Sequence, residues 1–369
     1  MKQLPVLEPG DKPRKATWYT LAPSGDNPCA RVGHSCSYLP PVGDATRGKV
    51  FIVGGADPNR SFSDVHAMDL ETHQWELATS EGLLPRYEHA SFIPACTPDS
   101  IWVFGGADQS GNRNCLQVLN AETRTWTMPE VISPPPSPRT FHTSSAAIGN
   151  QLYVFGGGER GAQPVQDVKL HVFDADTLAW SQPETLGEPP SARHGHVMVA
   201  AGTKLFIHGG LSGDKFYDDL HCIDTCDMKW QKLNPTGTAP IACAAHSAVT
   251  VGKHMYIFGG MTPTGALDTM YQYHIEKQHW ILVKFDTFLP AGRLDHSMCI
   301  IPWPVMSSEK EDSVCLNCHA EERNSTDKEL SQCDDSHEDN QTDTLLCFVF
   351  GGMNTEGEIY NDCIVTLVD

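Results

Sequence analysis

A pair of adjacent glycines closes a short apolar strand six times in this chain. The copies are VFIVGG (50–55), IWVFGG (101–106), LYVFGG (152–157), LFIHGG (205–210), MYIFGG (255–260) and CFVFGG (347–352). Successive pairs are 51, 51, 53, 50 and 92 residues apart. A period near fifty residues indicates a repeat architecture in which each unit buries its apolar face against its neighbours. Such an array favours a binding surface over a catalytic cleft.

Other features recur with the same period. A tryptophan follows the second glycine by 20 residues in four copies and by 23 in a fifth, at Trp75, Trp126, Trp230, Trp280 and Trp180. An alternating stretch lies between glycines and tryptophan, as in DVHAMD (64–69) and DLHCID (219–224). Alternation of apolar and polar residues is typical of half-buried strands, and the glycines mark sharp turns or close backbone approach.

An Arg-x-x-His motif precedes most glycine pairs. The five copies are Arg31/His34, Arg86/His89, Arg139/His142, Arg193/His196 and Arg293/His296. A sixth copy has Cys243 in place of the arginine, before His246. Each unit therefore supplies four strands: the first begins at the histidine, the second ends in Gly-Gly, the third alternates and the fourth carries the tryptophan.

This unit resembles the kelch repeat, a propeller blade of four antiparallel strands. The resemblance covers nearly the whole chain and implies an all-β fold, a six-bladed kelch β-propeller. Trp18 has no glycine pair before it, and the last glycine pair has no tryptophan after it. We therefore predict that an N-terminal outer strand around Trp18 completes the sixth blade, so that the ring closes without an exposed edge.

The predicted organisation is an N-terminal tail at 1–14 and a single kelch propeller at 15–369. An acidic insertion at 304–344 interrupts the sixth blade. Residues 305–344 contain twelve acidic and three basic side chains, so they carry −9 of the chain's net charge of −20. Such a segment cannot bury enough apolar surface to order itself, and we predict that it is disordered.

The insertion also contains a spacing reminiscent of a small zinc module. Cys315-x2-Cys318 is followed by Cys333-x3-His337, and thiolates with imidazole are typical zinc ligands. The flanking polar residues show no strand or helix pattern that supports such a module. A linker without metal is the preferred interpretation, and Cys315, Cys318, Cys333 and His337 are the alternative metal set.

Composition and termini exclude several classes of function. The net charge of −20 disfavours nucleic-acid binding. The first fifteen residues lack the apolar core of a secretory signal, and no run reaches the ~18 apolar residues of a membrane span. We expect a cytoplasmic protein that reaches membranes only through a partner, with its thirteen cysteines mostly reduced. No cofactor is indicated, because the glycine pairs lack a phosphate-binding lysine.

Topology predicts where binding takes place. In an antiparallel blade, the loop after the second strand lies at the same end as the segment leading into the first. The post-glycine and Arg-x-x-His segments should share one rim, with the acidic insertion opposite. Guanidinium groups bind carboxylates bidentately, which favours partner recognition. The predicted ring is Arg31, Arg86, Arg139, Arg193 and Arg293. Alternatively, each arginine pairs with a carboxylate of the next blade or caps backbone carbonyls, at about 1 kcal/mol each.

Residues that differ between copies are better candidates for specificity. In the segments entering the first strands these are Tyr87, Phe141, His194 and Leu294. After the glycine pairs, the basic candidates are Arg60, Arg113, Arg160 and Lys215. Loops on a rigid scaffold are where binding function concentrates.

Enzymatic interpretations have less support. The repeated histidines are distributed one per blade, so packing or hydrogen bonding within each blade explains them better than a metal. Some kelch proteins bind iron through carboxylates and a histidine, and Asp214, Asp218 and His221 are the nearest such set. Their spacing places them on one loop and strand. A protein-binding propeller without catalysis is therefore the preferred interpretation.

Two segments of the chain are similar to those of kelch-motif effectors of late-endosomal Rab GTPases. They are MKQLPVLEPGDKPRKATWYTL (1–21) and RTFHTSSAAIGNQLYVFGGGERGAQPVQD (139–167). The resemblance implies a Rab-family small GTPase in its GTP-bound state as the partner, and possibly other trafficking proteins. It further implies recruitment to endosomes and transport to the trans-Golgi network. A generic kelch scaffold or a metal-dependent kelch enzyme remains the alternative.

Overall fold

The computed structural model describes residues 3–141, 146–306 and 343–368, and every regular element in these ranges is a β-strand. Six sheets of four or five strands form the blades of a propeller. The predicted all-β, six-bladed fold is therefore confirmed. No helix among the described residues is long and apolar enough to cross a membrane. Most of the predicted insertion lies outside the described residues, as do all four residues of the alternative zinc set.

The strands follow the repeat. Blade 1 contains Ser35–Leu39, Lys49–Val53, Val65–Asp69 and Gln74–Thr79. Blade 2 contains Ala90–Phe92, Ser100–Phe104, Leu116–Asn120 and Thr125–Thr127. Blade 3 contains Ala146–Ile148, Gln151–Val154, His171–Asp174 and Ala179–Ser181.

The second half of the ring repeats the pattern. Blade 4 contains Val197–Ala201, Lys204–His208, Leu220–Asp224 and Lys229–Leu233. Blade 5 contains Ser247–Val251, His254–Phe258, Met270–His274 and His279–Leu282. Blade 6 contains Ser297–Trp303, Thr344–Phe350, Cys363–Leu367 and, from the N-terminus, Trp18–Leu21.

Short hairpins follow the glycine pairs of the first five blades. They pair Ala56–Asp57 with Arg60–Ser61, Ala107–Asp108 with Gly111–Asn112, Gly158–Arg160 with Gln163–Pro164, Leu211–Ser212 with Lys215–Phe216, and Met261–Thr262 with Gly265–Ala266. Two further strands, Ser24–Gly25 and Thr236–Gly237, pair in parallel with the outer strands of blades 1 and 5.

The hydrophobic core lies between blades, and the repeated tryptophans fill it. Five of them contact the residue before the glycine pair of the preceding blade: Trp18, Trp75, Trp180, Trp230 and Trp280. Trp180 lies 4.7 Å from Phe104 and Trp230 lies 5.4 Å from Phe155, measured between ring centroids. Trp18 lies 4.9 Å from Phe258. Large aromatic side chains dominate such interfaces because each removes much apolar surface from water.

The N-terminal strand closes the ring as predicted. Trp18–Leu21 pairs antiparallel with the last strand, in the register Trp18↔Thr366 to Leu21↔Cys363. Residues of the predicted tail also belong to the blade. Leu7 is buried and donates its N–H to Thr20 at 3.0 Å, and the Trp303 indole donates to the Asp11 carbonyl at 2.8 Å. The propeller thus begins well before residue 15.

A repeated glycine in the connectors between blades is a signal that the sequence analysis missed. Gly25, Gly82, Gly187 and Gly237 each follow a tryptophan by seven residues. Each lies against the tryptophan strand of the next blade at positive φ, and a Cβ on Gly237 would approach the Trp280 carbonyl oxygen to 2.0 Å. Ser133 takes this position in one connector, and its Oγ accepts from the Trp180 N–H at 2.6 Å.

Deletion of residues 1–22 tests the closure. The deletion removes the outer strand of blade 6 and exposes the backbone edge of Cys363–Leu367, which is a template for aggregation. We expect the melting temperature to fall by about 10 °C or more, with aggregation on heating. Measurement is by circular dichroism and light scattering; an unchanged melting curve would contradict the predicted closure.

Candidate binding rim

The Arg-x-x-His segments and the post-glycine hairpins lie on one rim, as predicted. In every blade, the residue after the Arg position pairs with the residue after the glycine pair. The bridges are Val32↔Ala56, Tyr87↔Ala107, Thr140↔Gly158, His194↔Leu211, Ala244↔Met261 and Leu294↔Met353. We call this face, formed by these segments and hairpins, the Gly-Gly rim.

Glycine is required where these segments cross. Gly54 and Gly55 have φ of +62° and +101°, a region that residues with a Cβ rarely adopt. A Cβ on Gly54 would lie 2.7 Å from the Arg86 carbonyl oxygen of the next blade. The glycine pair therefore permits the backbones of neighbouring blades to touch, which explains its presence in every repeat.

The repeated histidines join neighbouring blades, rather than bonding within one blade. The Nε2 of His34 lies 2.8 Å from the Phe350 carbonyl, that of His196 lies 2.8 Å from Phe155, and that of His296 lies 3.1 Å from Phe258. Because a carbonyl only accepts, Nε2–H donates in all three. Burial, and then the charge of Arg31, lower the pKa of His34 to about 3, so its imidazole is neutral. His142 lies outside the described residues.

The five arginines are inside the blades. Arg31, Arg86 and Arg293 are 0 % exposed, and Arg139 and Arg193 are 1 % exposed. The expectation that they face a partner is therefore wrong. The alternative of an internal role accounts for them through bonds to carbonyls such as that of Gly54, but the carboxylates they contact belong to their own blade and not to the next one. Each Nε also donates to the carbonyl two residues earlier in the chain, at 3.0 to 3.2 Å. This bond fixes the turn into the first strand.

Three of the arginines form bidentate ion pairs with a carboxylate of their own blade. The Nη1 and Nη2 distances to the carboxylate are 2.7 and 3.0 Å for Arg31–Asp64, 2.5 and 3.0 Å for Arg193–Asp219, and 2.6 and 3.0 Å for Arg293–Asp362. Arg139 approaches Asp167 at 3.5 Å. These carboxylates follow their glycine pairs by nine or ten residues, so the pairing had a repeated sequence signal.

Arg86 is the exception. Its Nη2 donates to the Gln117 amide oxygen at 2.6 Å, and its Nη1 donates to the carbonyls of Gly105 and Cys115 at 3.2 Å. A neutral side chain thus takes the place that carboxylates hold in sister blades. Burial lowers the pKa of Arg86. The loop is nevertheless held in the same geometry, because the carbonyl contacts are retained.

The ion pairs control the protonation of their carboxylates. Burial alone would raise the pKa of Asp219, but hydrogen bonds from His221 and Arg193 outweigh burial and hold this pKa well below its usual range. The same balance, with hydrogen bonds from His66 and Arg31, applies to the pKa of Asp64. Both carboxylates therefore stay charged under all but strongly acid conditions.

Two of the predicted basic residues form the outer layer of a stack. The Arg31 guanidinium lies 4.2 Å below the Phe62 ring centroid, and Arg60 lies 4.8 Å from the same ring. Tyr217 is likewise flanked by Arg193 at 4.0 Å and Lys215 at 5.0 Å. Arg60 and Lys215 are exposed, and cation–π contact restrains them above the rim. The positions of Arg60 and Lys215 thus depend on aromatic rings that the buried arginines also contact.

The other predicted rim residues differ in their solvent exposure. Arg160 is exposed, and Tyr87, Leu294 and Arg113 are half-buried. Arg113 forms an ion pair with Asp108 of its own hairpin. Phe141 and His194 are 8 % and 9 % exposed, so the expectation that they contact a partner is wrong. Phe141 packs on Phe104, with ring centroids 5.8 Å apart, and His194 Nε2 lies 3.2 Å from the Ala162 carbonyl.

Backbone hydrogen bonds link the blades around the axis at this rim. The N–H of Glu88 donates to Gly33 at 2.7 Å, and that of Gly33 donates to Asp295 at 3.0 Å. Burial raises the pKa of Glu88 to about 7, opposed by a hydrogen bond with Asp295. Only Glu88 and Asp295, of the six residues directly before the repeated histidines, are carboxylates, so this position carried no signal common to the repeat. Behind this ring, a central channel of about 350 Å³ is lined by the first strands.

Both described ends of the acidic insertion lie on the opposite rim. Met306 donates its N–H to Gly10 at 3.2 Å. Arg47, in the loop between the first and second strands of blade 1, lies 3.2 Å from Asp343. The insertion therefore leaves and re-enters the propeller on the face away from the Gly-Gly rim, as its place between the first two strands of blade 6 predicts.

The predicted iron set is not assembled. His221 Nε2 bonds Asp219 at 2.8 Å, while Asp214 and Asp218 are exposed. Within residues 3–141, 146–306 and 343–368, no group of three or more His, Cys, Asp and Glu side chains is arranged to hold a metal ion. The described rim thus offers hairpins, aromatic rings and mixed charges, which suit contact with another protein.

Comparison with known proteins agrees with this geometry. The family described as KLHDC2/KLHL20/DRC7 Kelch-repeats domain matches residues 12–158, 42–260 and 144–317. The chain belongs to the kelch-repeat family. This kelch propeller is also 82% identical over 372 residues to "Rab9 effector protein with kelch motifs" from Homo sapiens, covering 100% of both chains. The proteins of that name from Bos taurus and Mus musculus are 81% and 77% identical. The resemblance to kelch-motif Rab effectors is therefore confirmed.

Replacement of Asp219 by asparagine tests the buried ion pairs of the kelch blades. Asp219→Asn leaves the Arg193 charge buried without its counter-charge, and we expect a loss of about 3 kcal/mol of unfolding free energy at neutral pH. The wild-type carboxylate pKa is lowered, so its contribution is present above about pH 4 and is lost as pH falls further. Urea unfolding measures both effects, with exposed Asp214→Asn as the control. Equal stability of the two variants would contradict the assigned role.

The neutral histidines predict a second pH dependence. His34 has a lowered pKa in the folded chain, so the unfolded chain binds its proton first and stability falls as pH drops below about 6.5. We expect wild type to lose roughly 1.5 kcal/mol more than His34→Gln between about pH 6.5 and pH 5. Urea unfolding across this range, with exposed His279→Gln as control, measures the difference. Parallel curves for wild type and His34→Gln would refute a neutral His34.

Proposed function

We propose that this propeller is a non-enzymatic effector that binds a Rab-family small GTPase in its GTP-bound state. The observation that carries the proposal is its 77–82% identity, over the full chain, to mammalian proteins named Rab9 effector protein with kelch motifs. An effector distinguishes the two nucleotide states because the γ-phosphate orders the switch segments of the GTPase. The proposed setting is transport from endosomes to the trans-Golgi network, with membrane recruitment through the GTPase.

We further propose the Gly-Gly rim as the surface that contacts the partner. Its scaffold is restrained, since the Arg31, Arg193 and Arg293 ion pairs hold the entering segments of blades 1, 4 and 6 and the His34 bond links blade 1 to blade 6. Its hairpin tips differ from blade to blade and present exposed Arg60, Arg160 and Lys215. Restrained cations above a rigid base favour electrostatic complementarity, which contributes to specificity and to association rate.

The first experiment measures nucleotide-dependent binding. The purified full chain is immobilised and exposed to Rab9 and a panel of other Rab GTPases, each loaded with a GTP analogue or with GDP. We expect retention of Rab9 in the GTP-analogue form and at least tenfold weaker binding of the GDP form. Equal binding of both nucleotide forms would reduce the proposal to a passive scaffold. No binding to any member would overturn it.

The second experiment tests the surface. Arg60→Glu/Lys215→Glu reverses two exposed charges on the Gly-Gly rim, and we expect about tenfold or greater weakening, mainly through slower association. The matched control is Arg47→Glu/Lys253→Glu, which reverses two charges on the opposite rim. The comparison requires that both double variants have the same melting curve as the wild-type chain. Weakening by the control alone would move the binding surface to the opposite rim and leave the effector proposal standing.

A further inference from the structure

Two cysteines from the first and last blades face each other beside the channel. Cys36 belongs to the first strand of blade 1, Ser35–Leu39, and Cys299 to the first strand of blade 6, Ser297–Trp303. Their sulfur atoms are 3.1 Å apart, although 263 positions separate them in the chain. The two strands are neighbours around the axis. The thiols therefore meet across the interface between the first and last blades of the ring.

We propose that Cys36 and Cys299 form a reversible disulfide that links blade 1 covalently to blade 6. The sulfur–sulfur bond length of a disulfide is about 2.05 Å, so a relative movement of about 1 Å brings the sulfurs from contact to bonding. Both side chains are half-buried and line the central channel. Among the described residues that line the channel, only Cys36 and Cys299 carry thiols, and each sulfur is in contact with the other.

The position of the pair gives the disulfide a structural consequence. The ring closes through strand pairing of Trp18–Leu21 with Cys363–Leu367. Release of that N-terminal strand would let blade 1 and blade 6 separate. A bond between Cys36 and Cys299 joins the same two blades at their inner strands and holds the ring closed independently of the outer strand. Because it links distant positions, it also restricts the unfolded chain strongly.

The oxidant that fits this site is a small peroxide. The thiolate of one cysteine attacks one oxygen of hydrogen peroxide, the O–O bond breaks, and a sulfenic acid and hydroxide form; the hydroxide takes the proton that the thiol released and becomes water. The second thiol then attacks the sulfenic sulfur, the S–S bond forms and a second water leaves. The two sulfurs lose two electrons, the peroxide gains them, and the two thiol protons end in water. A channel of about 350 Å³ admits a molecule of this size.

The surroundings make the reaction slow at neutral pH. Burial, and then the hydrogen bond with Cys299, raise the pKa of Cys36 well above its usual range; Ser297 opposes this and Cys363 adds to it. Burial likewise raises the pKa of Cys347 on the neighbouring strand Thr344–Phe350. Only the thiolate reacts with peroxide, so the rate should rise with pH. The buried Cys347 and Cys363 of blade 6 are the alternative disulfide partners that the test must exclude.

The test treats the full-length chain with hydrogen peroxide at about pH 7.5 and about pH 9, then blocks free thiols and maps peptides by mass spectrometry without reduction. We expect a Cys36–Cys299 linked peptide, about 2 Da lighter than its two thiol peptides together, formed faster at the higher pH and removed by dithiothreitol. The melting temperature of the oxidised chain should rise by about 5 °C.

Cysteine-to-serine variants show which thiols form the disulfide. Cys36→Ser and Cys299→Ser should each abolish the linked peptide and the temperature shift, while exposed Cys226→Ser should retain both. Linkage of Cys36 to Cys363 or of Cys299 to Cys347 would overturn the proposal. So would oxidation confined to the exposed cysteines of the folded wild-type chain, a result that does not depend on how well any variant folds.

Discussion

The propeller depends on the pairing of the N-terminal strand Trp18–Leu21 with the C-terminal strand Cys363–Leu367. Every other blade is built from contiguous sequence, so its strands meet through short loops. Blade 6 joins the two ends of the chain, and its outer strand covers an edge that would otherwise be open. Trp18 also fills the interface with blade 5, through Phe258. One strand therefore closes both the sheet and the core, and the geometry of the binding rim follows from that closure.

The repeated polar residues of the rim stabilise the ring rather than recognise a partner. Each arginine fixes the turn that enters its blade, and each described histidine of the repeat bonds to the preceding blade. A buried guanidinium is costly to desolvate, so its carboxylate recurs with it, as with Arg31 and Asp64. Selection for the fold thus explains the repetition. The hairpin tips carry no such structural constraint and differ between blades, which is why we propose them as the binding residues.

Much of this architecture could be predicted from the sequence, because it rests on periodic features. The glycine pairs gave the blade number, and the unmatched Trp18 gave the closure. The exposure of Arg31 and its counterparts could not be read from spacing, since the same arginine at the same position can point outward or inward. The recurring carboxylates of Asp64, Asp219 and Asp362 were the available signal. The Cys36–Cys299 contact had none, because it joins residues of two distant repeats.

We propose that the repeat scaffold presents variable hairpin tips to a GTP-bound partner. Hydrogen–deuterium exchange of the full chain, with and without a GTPase loaded with a GTP analogue, tests it most directly. We expect protection at the hairpins around residues 57–61, 108–113, 159–163 and 212–216, with exchange of the strands themselves unchanged. Protection confined to the opposite rim, at the loop of residues 40–48 and around Lys253, would contradict it.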